Sequence, residues 1–190
     1  MHREVGFLNL NDPRGLDPMV HALESNDRVV VDTRAASGDL ILNFFKSLEL
    51  PGLLASLGAE VTFAIPVGGE LDSIDQIARV ATNLGTSVRY VIVLNQVFAD
   101  RLKLFNASKI RQELKTQFAG VEISMPEMPP WLVASLSLHG LTSTTALTHP
   151  EVSLLDRQRL KNWTRAFVAE LREASELLSL PIAPKAGGAQ

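Results

Sequence analysis

Three apolar runs end on residues able to bind or activate a small ligand. Asp32 follows Val29-Val30-Val31, Gly68 and Gly69 follow Val61 to Val67, and Asn95 follows Val88 to Leu94. An Asp so placed can hold a divalent cation or the water on it. Paired glycines let a backbone come close to a ligand. An Asn offers both a donor and an acceptor, which suits the edge of a base. If the runs are parallel strands, all four residues fall on the carboxyl rim of one sheet, where ligands of open α/β folds bind. The plainer alternative is that Asp32 and Asn95 cap turns and the glycines close one.

A second group is basic. Arg157, Lys161 and Arg165 recur at i, i+4 within a helical pattern, and Arg172 extends the ridge. Such a ridge would touch DNA phosphates. A solvated helix face explains it as well, and the net charge favours that account. The four histidines (His2, His21, His139 and His149) show no metal-ligand spacing, and neither H-E-x-x-H nor G-x-S-x-G occurs. No metal site or nucleophile elbow is therefore expected, and the histidines read as isolated surface or cap residues. Asp72 and Asp75 fall in a helix's first turn, where the macrodipole favours acids. Met125-Pro126-Glu127-Met128-Pro129-Pro130-Trp131 either crosses the edge of the core or docks a partner, since Met and Trp suit adaptable apolar contacts.

The elements that must position these groups alternate. A β-branched run at Arg28–Asp32 predicts a buried parallel strand, and the cap-type residues Ser37-Gly38-Asp39 precede a helix through Leu48. Pro51 restarts the chain and Gly58 stops it. Strand Val61–Val67 is followed by a helix with Leu71, Ile74, Ile77, Ala78, Ala81 and Leu84 on one face, closed by Gly85. Strand Val88–Leu94, a charged loop, a helix from about Ser108 to Phe118, and a weaker strand Val121–Met125 complete the rhythm. Strand–helix alternation of this kind implies βαβ units on a parallel sheet. Beyond it, Trp131–Leu138 predicts a short helix. Thr148-His149-Pro150-Glu151 reads as a capping box before a long helix with Leu160, Trp163, Phe167, Leu171, Ala174 and Leu178 on one stripe. Near the start, Val5–Leu10 suggests a strand, Asp12–Gly15 a turn and Asp17–Glu24 a helix.

Composition narrows the classes. The 190 residues are 46% hydrophobic and 21% charged, which suits one globular domain rather than a disordered chain. Eighteen Lys and Arg against 21 Asp and Glu give −3, so nothing draws the chain generally to nucleic acid or anionic lipid. With no Cys there is no disulfide scaffold, thiolate metal site or thiol nucleophile. No apolar run approaches the about 20 residues that span a bilayer, and no signal peptide is readable. A cytoplasmic chain with no membrane span is expected.

Several segments taken in order resemble one family. Val29-Val30-Val31-Asp32-Thr33 resembles the strand-end Asp segment of ParA/MinD-type P-loop ATPases, and Tyr90-Val91-Ile92-Val93-Leu94-Asn95 their later strand, whose Asn faces the nucleotide base. Ile65-Pro66-Val67-Gly68-Gly69 and Asp156-Arg157-Gln158-Arg159-Leu160 resemble the branch found in plasmid conjugation and stability loci. The resemblance runs from about residue 15 to residue 178. That family grips phosphates with G-x-x-x-x-G-K-[ST], yet no Gly-Lys pair occurs in this chain. Lys185-Ala186-Gly187-Gly188 has the order reversed. The chain thus looks like the family's portion downstream of that loop: a truncated product, a mis-called start or a degenerate paralogue. In the family the missing strand is central, so two flanking strands are left with unpaired edges unless Val5–Leu10 fills the gap or the sheet closes up.

The expectation is a single α/β domain over residues 1–180. It has three layers, with a mostly parallel sheet and helices on both faces, similar to a P-loop NTPase without its P-loop. A disordered tail 181–190 follows. The resemblance implies a partner-binding module of plasmid partition, conjugation or mobilisation, without independent ATPase activity or a cofactor of its own. Asp32, Gly68, Gly69 and Asn95 are then vestigial nucleotide contacts. Its partner is a protein, a second copy of the chain included. Two alternatives stay open. One is a fragment of an ATP-dependent partition-type ATPase whose Walker A segment lies elsewhere; ATP and Mg²⁺ are then its cofactors, Asp32 positions the water or Mg²⁺, and Asn95 contacts adenine. The other is a DNA-associated adaptor acting through Arg157, Lys161 and Arg165.

Overall fold

Alternating strands and helices assemble around a three-stranded sheet in a computed structural model that describes residues 8–9, 12, 14–15, 17–33, 37–68, 71–100 and 102–180. Among these residues, eight α-helices and three strands run in the order α1 (Asp17–Ser25), α2 (Gly38–Ser47), α3 (Leu50–Ser56), β1 (Thr62–Val67), α4 (Leu71–Leu84), β2 (Arg89–Asn95), α5 (Leu102–Asn106), α6 (Lys109–Thr116), β3 (Val121–Met125), α7 (Pro130–Leu138) and α8 (Leu154–Glu173). The sheet order is β1-β2-β3, and both pairs are parallel.

Strand β2 is central, and its residues explain why. Tyr90, Ile92 and Leu94 point into the core built with α2, α4, α5 and α6, whereas Val91 and Val93 face Phe167 and Leu171 of α8. A strand covered on both faces must be apolar nearly throughout, as this one is. Two helical layers thus sandwich the sheet. On the first side, Ile74, Ile77, Ala81 and Leu84 present one buried stripe of α4. The helix then ends at Gly85, whose φ of +52° is a left-handed conformation that costs glycine little. Tyr90 is fully buried and donates its hydroxyl to the Gly85 carbonyl at 2.9 Å, and burial pushes its phenol up to about 12. Pro66 sits on β1, a strand at the sheet's edge among the described residues, where its missing N–H costs least.

On the second side α8 is fastened to β3 by two polar bonds as well as by packing. Glu170 accepts the Ser124 backbone N–H at 2.8 Å, and the Trp163 indole donates to the Pro126 carbonyl at 2.7 Å. The Glu170 bond occupies a donor of the strand opposite its β2 partner, protecting a sheet edge that would otherwise template further pairing. The amino-terminal part of α8 closes a smaller core of Leu132, Leu136, Ala146, Val152 and Leu160 with α7.

The structure corrects several expectations. Arg28–Asp32 is not a strand: it runs without ladder bonds, and Val30 is 84% exposed. β-Branched residues favour extension, but a strand with no neighbour to take its N–H and C=O groups gains nothing by forming. The capping box at Thr148–Glu151 does not form. Thr148 instead ends a short 3₁₀ turn, and α8 starts later with Ser153 as its cap. Ser153-Leu154-Leu155-Asp156 offers equivalent spacing: the Ser153 hydroxyl accepts from the Asp156 N–H at 3.1 Å and donates to its carboxylate at 2.7 Å. Helix α8 also stops at Glu173, so Leu178 meets the sheet from the turn that follows. The loop before α6 contains α5, anchored by buried Leu102 and Phe105. The helix at Asp17–Glu24 and the turn at Asp12–Gly15 are present, whereas Val5–Leu10 (save Leu8 and Asn9) and residues 181–190 lie outside the described residues.

Candidate functional site

Parallel register fixes the carboxyl rim. Val67 pairs with Leu94 and Asn95 with Met125, so Gly68, Asn95 and Pro126 follow one another across the ends of β1, β2 and β3. Each has a local structural task. The Asn95 side-chain oxygen accepts the Val97 N–H at 3.1 Å and caps the 3₁₀ turn Gln96–Phe98, which leaves its amide nitrogen as a donor. The Gly68 carbonyl accepts the Ser73 hydroxyl at 3.1 Å, and a Cβ at Gly68 would come no nearer than 3.8 Å to Ser73. Packing among the described residues therefore does not require glycine there. Gly69 lies outside the described residues. Asp32 is exposed on the extended run, not at a strand end. The structure brings Gly68 and Asn95 together on the rim and does not set Asp32 on a strand beside them.

Where that extended run lies is fixed at both ends. Arg28 donates to the Ser179 carbonyl, and Thr62, the first residue of β1, donates to the carbonyl of Leu177. The run and β1 thus begin beside one turn, at the amino end of the sheet. After Thr33 the chain resumes at buried Ser37 and α2, whose Asp39 meets Arg79 of α4 at 3.2 Å. The run therefore starts near the turn that also receives Thr62, and it is not zipped onto the sheet.

The basic ridge divides in two. Arg157 turns inward: its guanidinium donates to the His149 carbonyl at 2.7 Å, and its Nε is buried without a partner among the described residues. It holds the segment before α8 and presents little charge to solvent. Lys161 and Arg165 are exposed and, with Arg172, line an open groove of about 370 Å³ together with Leu147, Thr164, Val168 and Ala169. None of the three cations is ion-paired among the described residues.

Three features had no signal in the sequence. Glu122 on β3 takes two bonds from Arg111 of α6, at 2.7 and 2.8 Å, and a third from Lys115 at 2.9 Å. Burial alone would push its carboxyl up, but the two cations outweigh that and hold it below the usual range. The pattern resides in three residues on two elements, visible only once α6 lies over β3. His139 and His149, expected to be isolated, stack with ring centroids 5.4 Å apart. Trp131 is 60% exposed, and the Arg159 guanidinium stands 5.9 Å over its ring, with exposed Leu154 and Leu155 one turn before. Among the described residues no three His, Asp or Glu groups converge as metal ligands, and no helix is long and apolar enough to cross a membrane.

Fold and site together describe an α/β protein with a small parallel sheet, a rim engaged in capping, and a cation-lined groove on its last helix. The chain is 25% identical to Protein TraL of Escherichia coli over 177 aligned residues, covering 86% of this chain and 72% of that protein. No family model and no solved structure matches it.

Proposed function

We propose that this chain is a component of plasmid conjugation that works by binding a protein partner, on a framework related to the ParA/MinD-type sheet. The observation that carries this reading is the correspondence with Protein TraL, which extends across most of the chain rather than one motif. The strand-end residues support a partner-binding role over catalysis. Asn95 spends its acceptor on a backbone cap, and none of the 190 residues forms a Gly-Lys phosphate grip. An in-frame deletion of the gene from a conjugative plasmid is expected to lower transfer frequency, with restoration by the gene in trans. Unchanged transfer in the deletion would overturn the reading.

A second reading is favoured by one observation. Arg28 and the first residue of β1 both bond to the turn at 177–179, and among the described residues the outer edge of β1 has no strand partner. On this reading a further strand pairs the open edge of β1, and the chain is part of an ATP-dependent partition-type ATPase. Asp32 then holds Mg²⁺ or the attacking water, Asn95 meets adenine, and ATP and Mg²⁺ are bound jointly with the added strand. Calorimetric titration of this chain with Mg·ATP separates the two: no saturable heat supports the partner-binding module, and micromolar binding supports the ATPase.

A further inference from the structure

The groove along α8 has the chemistry of a receptor for one kind of ligand. Lys161, Arg165, Val168 and Arg172 follow one another at intervals of four, three and four, so they share a stripe about a third of a turn round from the buried stripe of Leu160, Phe167 and Leu171. The stripe is about 16 Å long at the helical rise. Leu147, Thr164, Val168 and Ala169 line it beside the three cations, and among the described residues no carboxylate does. A ligand that fills it must pair negative charge along its edges with apolar groups facing inward. A bare anion would leave the apolar lining wet, and a purely apolar ligand would strand the cations.

We propose that this groove binds an acidic, amphipathic segment of a protein partner. The assignment rests on the partner-binding reading above and names the partner's chemistry. Two observations favour a peptide over nucleic acid. No aromatic side chain lines the groove, so bases would find no stacking platform. The chain as a whole carries −3, so nothing general holds a polyanion beyond the three groove cations. A duplex with one charge per about 1.7 Å of axis would run past these cations onto a chain of net negative charge. A segment of about eleven residues would stay within the groove, and charges more than about 8 Å away are screened at physiological salt.

The test is fluorescence anisotropy on the full chain, with a labelled helical peptide of about eleven residues bearing Leu at i, i+3, i+4 and i+7 and Glu beside them. Comparison probes are the same peptide with Lys for Glu, a Glu-only peptide, and a labelled oligothymidylate. The Leu–Glu peptide is expected to bind, the Glu-only peptide more weakly, and the Lys peptide not at all. Lys161→Glu with Arg165→Glu should weaken the Leu–Glu peptide at least about tenfold and turn preference toward the Lys peptide, a gain that only a folded variant can show. If that variant does not fold, Lys161→Ala and Arg172→Ala singly should each weaken binding several-fold. Binding indifferent to all these substitutions, or tighter binding of the oligothymidylate, would overturn the proposal. Plasmid transfer does not enter this measurement, so the groove can fail here while the conjugation reading stands, and the reverse.

Discussion

Replacing Glu122 by Gln keeps the size and shape of the side chain and removes the one charge that faces both Arg111 and Lys115. Glu122 is mostly buried, with 14% of its side chain exposed, against 27% for Arg111 and 48% for Lys115. Breaking a fully buried pair costs about 3–5 kcal/mol, whereas an exposed pair is worth about 0–1 kcal/mol. This network lies between, because Lys115 can rehydrate and Arg111 keeps one bond to the amide oxygen. A loss of about 2 kcal/mol is expected, or about 4–8 °C in melting temperature for a chain of this length. The pH dependence has a definite sign. The Glu122 carboxyl is held below its ordinary value near 4.5, so its contribution is complete above that value and disappears as pH falls through the lower folded one. Urea unfolding at neutral pH should therefore show the full gap between parent and Glu122→Gln, and acidification below about 4 should narrow it by destabilising the parent. A gap under about 0.5 kcal/mol at neutral pH, or one that widens in acid, would refute the assignment of this trio as the clamp between α6 and β3.

Two further expectations follow from the same geometry. Ser153→Ala should cost about 1 kcal/mol by removing the cap of α8, and thermal unfolding should show it, whereas Thr148→Ala should cost less because Thr148 caps no α-helix. Val30→Asp should leave stability within about 0.5 kcal/mol, since the side chain is already in water; a large loss would mean that the Arg28–Thr33 run is paired in the protein as it folds in solution.

How much of this was legible in the residues depends on how local each cause is. Strand β3 runs from Val121 to Met125 as expected, α4 begins and ends where its apolar face and Gly85 place it, and the two-sided burial of β2 is written in its unbroken apolar run. Propensity misled at Val29-Val30-Val31, because a strand needs a neighbour and the sequence of one segment does not say whether one is present. It misled again at Thr148, where two cap-like tetrads lie five residues apart and only packing of Val152 and Leu160 against α7 selects the second. Gly68 and Asn95 do stand at the ends of β1 and β2, but capping at Asn95 is a contact two residues away that the residue type alone leaves open. On α8 the i, i+4 spacing found the basic stripe and included Arg157, which the His149 carbonyl draws inward, and Arg172 takes its place on the groove. The Glu122 network left no trace, since its members are set together by tertiary packing.

If the chain serves conjugation through the α8 groove, as proposed, reversing the groove's charge should abolish transfer while a change at the strand-end rim should not. Transfer frequency from a plasmid deleted for the gene, complemented in parallel by three alleles, tests it most directly. Asn95→Asp keeps the oxygen that caps Val97 and removes the amide donor a base would need. Lys161→Glu with Arg165→Glu reverses the groove and leaves the rim untouched. The account predicts that the parent and Asn95→Asp restore transfer while the groove variant, expressed at parental level, does not. Restoration by the groove variant together with failure of Asn95→Asp would contradict it.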